Sequence, residues 1–343
     1  MNTLKLLEPG NLVFEAAEEP GIPGVGEALV QVHRIGICGT DIHAFAGKQP
    51  FFSYPRILGH ELGVEVLEIG PEVTNVKPGD SCAVEPYVNC GHCIACRRGR
   101  GNCCSAICVL GVHADGGMRE RFILPARKLH PSSRLPYEKL ALVEPLAIGA
   151  HAIDRAAVEP GETVLVIGAG PIGLSAIQFA QISGARVIVL DVNDARLLFC
   201  REQLGVDATI NGLTENPVDT LQALTGGDFP TAVFDATGNP RSMMESFQYT
   251  AHSARLVFIG LFQGDVTFND PNFHKRELTL MGSRNAQPED FTRIIAAMED
   301  GRLDTSPWIT HRAPLLSVPS VFASWTKPET GVLKAMISVT GET

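Results

Sequence analysis

Hydrophobic and polar positions alternate with a period of two residues in the first part of the chain. Residues 28–35 (ALVQVHRI) and 62–69 (LGVEVLEI) follow this alternation closely. The period is typical of half-buried strands, because successive side chains point to opposite faces of a sheet. Pro-Gly and Gly-Pro pairs mark turns around these segments. Residues 1 to about 150 are therefore predicted to be mostly β-structure with loops.

The pattern changes after Gly161, where short apolar runs begin to alternate with helical stretches. The runs are residues 163–167, 186–190, 231–235, 256–260 and 278–281. Such alternation predicts a doubly wound parallel sheet with crossover helices, and the fold class is therefore α/β. A helical segment is predicted at 288–299, after which the alternation is lost.

A glycine-rich turn follows the first of these runs. Gly168, Gly170 and Gly173 form the pattern G-x-G-x-x-G between a predicted strand and a predicted helix. In dinucleotide-binding proteins these glycines make the turn, admit the pyrophosphate and let the helix and strand pack closely. Asp191, at the end of the next strand, can bind a ribose 2′-hydroxyl and would repel a 2′-phosphate. NAD is therefore favoured over NADP, although Arg196 could weaken that preference. A purely structural glycine turn is the alternative.

The cysteines indicate metal binding rather than disulfides. The chain has nine cysteines, and its N-terminal apolar run is broken at Glu8-Pro9, too early for a signal peptide. Four of the cysteines lie close together in one segment: Cys90, Cys93, Cys96 and Cys104. Four thiolates leave no open coordination position, so this spacing predicts a structural zinc site. An iron–sulfur cluster and unpaired thiols are the alternatives, and Cys103 could replace its neighbour as a ligand.

A second possible ligand set has a different character. Cys38, His60 and Glu61 together offer a thiolate, an imidazole and a carboxylate. Three such ligands leave one position of a zinc ion open, which is typical of a catalytic site. Taken alone, Cys38 would more often be a packed core residue. The four-cysteine segment and the dinucleotide fingerprint together favour the catalytic interpretation.

Length and charge narrow the class of protein. A chain of 343 residues predicts about two domains. The net charge is −10 and the basic residues are scattered, so a nucleic acid or an anionic membrane is not an expected partner. The longest apolar run, 163–177, is interrupted by glycines and a proline and is not expected to span a membrane. We expect a cytosolic protein that acts on a small molecule.

These motifs together resemble the zinc-dependent medium-chain alcohol and polyol dehydrogenases. The resemblance is carried by residues 36–43, 59–61, 115–117, 144–146 and 168–173 and by the four-cysteine segment. Glu61 and Glu144 resemble the polyol and threonine dehydrogenase branch. Residues 49–55, 236–239 and 282–285 (QPFFSYP, ATGN and GSRN) resemble bacterial sugar-acid dehydrogenases of the L-galactonate or L-gulonate 5-dehydrogenase kind. Arg119 and Arg121 depart from that pattern, so the resemblance does not extend to the surface around them or to any subunit contact made there.

The resemblance implies a domain organisation and an assembly. It implies a GroES-like catalytic domain at 1–148, a Rossmann NAD-binding domain at 149–285, and a C-terminal segment, 286–343, that returns to the catalytic domain. It also implies a homo-oligomer, either a dimer or a tetramer.

The resemblance further implies roles for individual residues. Two zinc ions per chain are expected, one held by Cys38, His60 and Glu61, with Glu144 as an alternate or water-mediated ligand. Thr40 and His43 match the proton relay of the family. Asp41 would support the zinc ligands, although a helix cap is an equally good interpretation. The remaining cofactor contacts are expected at Ile172, Gly260, Leu261, Ser283 and Arg284.

The implied reaction is the zinc- and NAD-dependent oxidation of a secondary alcohol, on a sugar acid, to the keto acid. A carboxylate substrate needs a cation, and Arg284 is the first candidate because it follows the strand 278–281 at the carboxyl edge of the sheet. A cofactor contact or a salt bridge is its alternative role; Lys275 and Arg56 are weaker candidates. A polyol or threonine dehydrogenase, a zinc-free reductase, and a non-enzymatic NAD-binding zinc protein are the alternative functions.

Overall fold

The computed structural model describes residues 1–49 and 52–340. The chain forms two compact units, Met1–Pro145 with Gln287–Thr343, and Leu146–Ala286. The boundaries expected from the sequence lie three residues (148 against 145) and one residue (285 against 286) from these positions. In the 49–55 motif, Pro50 and Phe51 lie outside the described residues.

The first unit begins with strands and short helices. The strands are β1 (Asn2–Glu8), β2 (Asn11–Ala16), β3 (Glu27–Gly36), β4 (Arg56–Ile57), β5 (Glu61–Ile69), β6 (Ser81–Val84), β7 (Tyr87–Val88), β8 (Cys108–Val109), β9 (Arg121–Pro125) and β10 (Leu129–Pro131). The helices are α1 (Gly39–Phe45), α2 (Ile94–Arg97) and α3 (Tyr137–Ala141), and α4 (Val143–Ala156) begins in this unit and continues into the second. The mostly-β character predicted for this part of the chain is confirmed.

Strand β3 organises the first unit. It pairs in antiparallel register with β5 and also with β9. Ala28, Val30 and Val32 on one face of β3 are fully buried, whereas the residues between them are only half-buried. This is the burial that the two-residue alternation predicts, because one face of the sheet packs on the core.

The second unit alternates strands and helices. Its elements are β11 (Thr163–Ile167), α5 (Pro171–Ile182), β12 (Arg186–Asp191), α6 (Asp194–Leu204), β13 (Ala208–Asn211), α7 (Pro217–Leu224), β14 (Ala232–Asp235), α8 (Pro240–Glu245), β15 (Arg255–Phe258), α9 (Asp270–Lys275) and β16 (Thr279–Gly282). The strands form a parallel sheet in the order β13-β12-β11-β14-β15-β16. The order reverses between β11 and β14, and ligands of such sheets bind at the carboxyl ends of the strands beside this point.

The tail adds α10 (Pro288–Glu299), β17 (Ile309–Pro314), α11 (Val318–Trp325) and β18 (Lys334–Ser338) to the first unit. Strand β18 pairs antiparallel with the end of β3, where Met336 lies opposite Gly36. Phe322 of α11 is fully buried in the same core as β3. The tail therefore completes the sheet that carries residues 36–61, the segment with the three candidate ligands. None of the helices in the described part of the chain is long and apolar enough to cross a bilayer.

Candidate active site

Cys38, His60 and Glu61 meet at one point in the first unit. One ligand atom from each lies within 4.8 Å of the others. The antiparallel pairing of β3 with β5 explains this convergence, because it places Gly36 opposite Glu61. Cys38 follows Gly36 by two residues and His60 precedes β5, so both side chains reach the same end of the strand pair.

Asp41 fixes the backbone on both sides of this cluster. Its carboxylate accepts hydrogen bonds from the backbone N–H groups of Cys38, at 3.0 Å, and Gly59, at 3.3 Å. The Nδ1 atom of His60 lies 3.8 Å from the Asp41 carboxylate, which is too long for a hydrogen bond. The bond to Cys38 is that of a helix cap, while the negative charge also stands beside the imidazole. The structure thus shows Asp41 in the capping role, and its support of the metal ligands stays a prediction.

His60 has the properties of a metal ligand. Its Nδ1 atom is buried and has no hydrogen-bond partner among the described residues. Burial by itself lowers the pKa of His60, but the neighbouring Asp41 and Cys38 raise it well above its usual range. A cation is therefore favoured here, and a bound metal would replace the proton. The donor set of the cluster fits zinc, which binds thiolate, imidazole and carboxylate groups.

Glu61 is paired with a lysine that the sequence analysis did not identify. The Nζ atom of Lys334 donates to both carboxylate oxygens of Glu61, at 2.7 and 2.8 Å, and to the carbonyl of Ile37 at 3.0 Å. Both charged side chains are only 1% exposed. A Cβ atom at Gly36 would lie 2.0 Å from Glu61 Oε2, so only glycine leaves room for this carboxylate. The sequence carries one sign of this pairing: Lys334 is the only charged residue of the apolar segment VLKAMIS, and a buried charge needs a partner.

Glu144 lies in the first turn of α4 and is buried. It is outside the three-residue cluster, although its charge interacts with those of His60 and Glu61. Burial raises the pKa of Glu144 to about 7, with Glu61 acting in the same direction and His60 and Lys334 opposing it. The hydroxyl of Tyr87 donates a hydrogen bond to Glu144 Oε1. Glu144 and Glu61 therefore have different partners, one neutral and one charged.

The four-cysteine segment closes on itself. The sulfur atoms of Cys90, Cys93, Cys96 and Cys104 all lie within 4.8 Å of one another. The N–H groups of Cys90 and Ala106 donate to Cys104 Sγ at 3.3 and 3.4 Å. Hydrogen bonds from the backbone of Cys96 and Ser105 lower the pKa of Cys93 to about 5. The pKa of Cys90 is lowered as well, whereas that of Cys104 is raised, so the backbone favours the thiolate that zinc requires at Cys90 and Cys93. Cys103 is exposed and lies outside the cluster.

Thr40 and His43 are three residues apart on α1, so their side chains lie on neighbouring positions of the helix surface. Thr40 is half-buried and His43 is exposed. Exposure suits a group that exchanges protons with water, and the relay through these two residues stays a prediction.

A pocket of about 450 Å³ lies at the carboxyl ends of β11, β12 and β14. Four predicted cofactor contacts line it, namely Gly168, Gly170, Asp191 and Arg196. It is also lined by Thr237, Asn239, Arg241, Ser242 and Tyr249, which the sequence analysis did not identify. A Cβ atom at Gly173 would lie 1.7 Å from the carbonyl oxygen of Gly168, so glycine is needed for α5 to pack this closely. Ile172 lies beside it in the first turn of α5.

Asp191 is held in place by the backbone. Its carboxylate accepts N–H hydrogen bonds from Ala169 at 2.6 Å, Val192 at 2.7 Å and Asn193 at 2.8 Å. A carboxylate has about four lone-pair positions, so one position is left for a hydroxyl donor in the pocket. The anion is therefore fixed and oriented before any ligand binds.

The remaining predicted contacts follow strands at the same edge of the sheet. Gly260 and Leu261 follow β15, and Ser283 and Arg284 follow β16. They are not among the described residues that line the 450 Å³ pocket. Their contribution to cofactor binding stays a prediction.

The three candidate substrate cations differ in position. Arg284 is exposed and follows the carboxyl end of β16. Lys275 ends α9, before β16 begins, and therefore lies toward the amino end of the same strand. Arg56 stands 3.5 Å from the Asp115 carboxylate. Position thus favours Arg284 over Lys275, because ligands of parallel sheets bind at the carboxyl ends.

Two family models match the chain. Residues 24–136 match the alcohol dehydrogenase GroES-like domain, and residues 171–300 match the zinc-binding dehydrogenase domain. The two matches include both candidate metal clusters and most of the parallel sheet.

Characterised relatives cover nearly the whole chain. It is 45% identical to L-galactonate-5-dehydrogenase of Escherichia coli K12, over 94% of each chain. It is 35% identical to L-threonine 3-dehydrogenase of Pyrococcus horikoshii, over 84% of this chain and 85% of that one. Among solved structures, the alcohol dehydrogenase RspB of Escherichia coli CFT073 in complex with NADH matches with a TM-score of 0.91 and 30% identity, over 98% of this chain and 99% of that one.

Proposed function

The chain belongs to the zinc-binding alcohol dehydrogenases with a GroES-like domain, and on that premise we propose that it oxidises a secondary hydroxyl of a six-carbon sugar acid such as L-galactonate. The family assignment makes it an oxidoreductase that acts on CH–OH groups with zinc and NAD. The observation that carries the sugar-acid assignment is the 45% identity to L-galactonate-5-dehydrogenase over 94% of the chain. Threonine dehydrogenase is the second candidate, supported by 35% identity.

We propose that Cys38, His60 and a carboxylate hold the catalytic metal. Glu61 stands within the cluster, and Glu144 stands beside it with one oxygen that Tyr87 does not occupy. When bound, zinc supplies Lewis acidity toward a hydroxyl, and the nicotinamide of NAD supplies the hydride acceptor. Cys90, Cys93, Cys96 and Cys104 are proposed to hold a second, structural zinc ion.

The chain's own residues would supply positioning and proton transfer. Thr40 would accept the proton of the substrate hydroxyl while giving up its own, and the proton would pass by way of the cofactor ribose to His43, on the same helix, which releases it to solvent. The exposure of His43 supports this order. The remaining lone pair of the Asp191 carboxylate accepts a hydrogen bond from a ribose hydroxyl of NAD. Its negative charge repels the 2′-phosphate of NADP. Asp191→Ser should therefore narrow the preference for NAD over NADP in steady-state kinetics, and equal use of both by the unaltered enzyme would contradict this role.

Substrate charge provides the decisive test. We expect L-galactonate or L-gulonate to give a much larger kcat/KM than sorbitol, which has no carboxylate, and larger than L-threonine. Arg284→Ala should lower kcat/KM for the acid by roughly tenfold or more, the effect of losing one charge-assisted hydrogen bond, and should change the value for sorbitol little. Lys275→Ala is the matched control, because it removes a charge near the other end of β16.

The outcomes separate the alternatives. If L-threonine or sorbitol is the better substrate, the sugar-acid assignment is wrong and the zinc dehydrogenase assignment remains. If Arg284→Ala lowers kcat/KM equally for acid and polyol, Arg284 contacts the cofactor instead. NAD binding without turnover of any of these alcohols would favour a non-enzymatic role.

We also propose a homo-oligomer in the cytosol. β16 lies at the edge of the parallel sheet, where Leu280 is 39% exposed, so the edge offers unpaired backbone groups and an apolar side chain to a second copy. Nine free thiols are consistent with a reducing compartment. Light scattering of the purified protein should give a multiple of 36.8 kDa, and a monomer would contradict the proposal.

A further inference from the structure

Tyr87 contacts the candidate site but has no place in the function described so far. It begins β7, and its side chain is almost completely buried. Its hydroxyl donates a hydrogen bond to Glu144 Oε1. The phenol therefore acts as a fixed hydrogen-bond donor toward this carboxylate.

The surroundings of Tyr87 hold its ring in one orientation. Phe291 of α10 packs edge-on against it, with ring centroids 6.4 Å apart and planes inclined by 70°. Phe291 is itself stacked on His130, with centroids 4.9 Å apart. The imidazole of His130 lies 3.3 Å from Glu85, which also accepts a hydrogen bond from the buried Lys128. Glu85 stands two residues before Tyr87, so both the ring and the backbone leading to it are fixed.

Glu61 and Glu144 are left with different numbers of available oxygens. Lys334 donates to both oxygens of Glu61. Tyr87 donates to Oε1 of Glu144, and this hydrogen bond does not involve Oε2. A carboxylate can bind a metal ion through one oxygen or through both, and the second mode would fill the position that a substrate needs.

We propose that Tyr87 is a positioning residue that restricts Glu144 to binding the catalytic metal through a single oxygen, which keeps one coordination position open for the substrate hydroxyl. This inference rests on the proposed function. Tyr87 is assigned a positioning role because its hydroxyl is engaged by Glu144. Its hydroxyl competes with the metal for Oε1, and its packing prevents it from moving away.

The test removes only the hydroxyl. Tyr87→Phe keeps the ring that packs on Phe291, and Glu144 should then bind the metal through both oxygens. In protein whose catalytic metal is replaced by Co²⁺, the visible absorption of Tyr87→Phe should be weaker than that of the unaltered protein, as expected for a higher coordination number. KM for L-galactonate should rise roughly tenfold while kcat changes less, because substrate must displace a carboxylate oxygen. The metal should be retained.

Tyr137→Phe is the matched control. Tyr137 lies in the same unit, and its hydroxyl contacts Ser81 at 3.2 Å. This variant should keep the Co²⁺ spectrum and KM of the unaltered protein. If Tyr87→Phe matches Tyr137→Phe in both, or if it loses the catalytic metal, the inference is overturned. If the unaltered protein binds no metal at Cys38 and turns over no alcohol, the proposed function itself fails, so the two failures can be distinguished.

Discussion

The two metal-binding clusters differ in how the chain assembles them. The four-cysteine cluster is built within residues 90–104, by one local segment. The cluster of Cys38, His60 and Glu61 depends on the pairing of β3 with β5. Its carboxylate is paired with Lys334 from the tail, and the neighbouring Glu144 is bonded to Tyr87. A closed structural site can thus be local, whereas an open site needs support from distant residues to leave one position free. The candidate catalytic cluster therefore depends on more separate parts of the chain than the four-cysteine cluster does, and a substitution in any of them can disrupt it.

Removing a ligand of the open site should have the largest effect. Cys38→Ala should lower kcat/KM by about 10³-fold or more, since a metal contributes several kcal/mol to the transition state. Zinc content should fall from about two ions per chain to about one, while NAD binding and the melting temperature change little. Metal analysis together with NADH formation measures both effects. Cys200→Ala is the control, because Cys200 is a buried thiol outside both clusters. If Cys38→Ala kept full activity, the cluster of Cys38, His60 and Glu61 would not be the catalytic one, and the contrast between a catalytic and a structural cluster would be wrong.

Removing a ligand of the closed site should act on stability instead. Cys93→Ala should lose the second zinc ion and about 4 kcal/mol of unfolding free energy, or on the order of 10 °C in melting temperature. Thermal unfolding followed by circular dichroism measures this change. Iron in the purified protein, or an unchanged melting temperature, would contradict a structural zinc site.

Lys334→Met tests how much the open site, formed by Cys38, His60 and Glu61, depends on its supporting lysine. It leaves the buried carboxylate of Glu61 without its partner, which should cost roughly 3 kcal/mol in unfolding free energy. Urea unfolding is the measurement. The double variant Glu61→Gln/Lys334→Met removes both charges and should recover much of the loss. A double variant that is less stable than Lys334→Met would show that the ion pair is not the source of the effect.

Cys103→Ala should have the smallest effect. Cys103 is exposed and outside the four-cysteine cluster, so zinc content should be unchanged and stability should stay within about 0.5 kcal/mol. The same zinc and unfolding measurements apply. Loss of one zinc ion from this variant would mean that Cys103, and not Cys104, completes the closed site.

Local patterns accounted for much of the fold and for both ligand sets. Strand β11 and helix α10 have the bounds that the pattern predicts, 163–167 and 288–299. Strand β13 was not predicted, because the segment ATIN is short and half polar and carries no clear apolar run. The two candidate ligand clusters, whose atoms the structure brings together, were recognisable because their residue types and spacing are themselves chemical information.

The supporting residues could not be predicted in the same way. Tyr87 is separated from Glu144 by 57 positions, and no spacing rule connects a tyrosine to a distant glutamate. Lys334 lies 273 positions from Glu61, and its lone charge in an apolar strand shows only that a partner must exist. Lys275 was a weaker candidate for the substrate contact, and strand direction sets it toward the amino end of β16. Tertiary structure decides such pairings.

The ion pair between Lys334 and Glu61 also has a consequence for biosynthesis. Glu61 leaves the ribosome 273 residues before Lys334, and the unit of 146–286 is made between them. The second unit can therefore fold while the first still waits for β18. The cluster is completed only after β18 has been made, so a nascent chain, or one released before β18, carries an unneutralised acid at the proposed metal site.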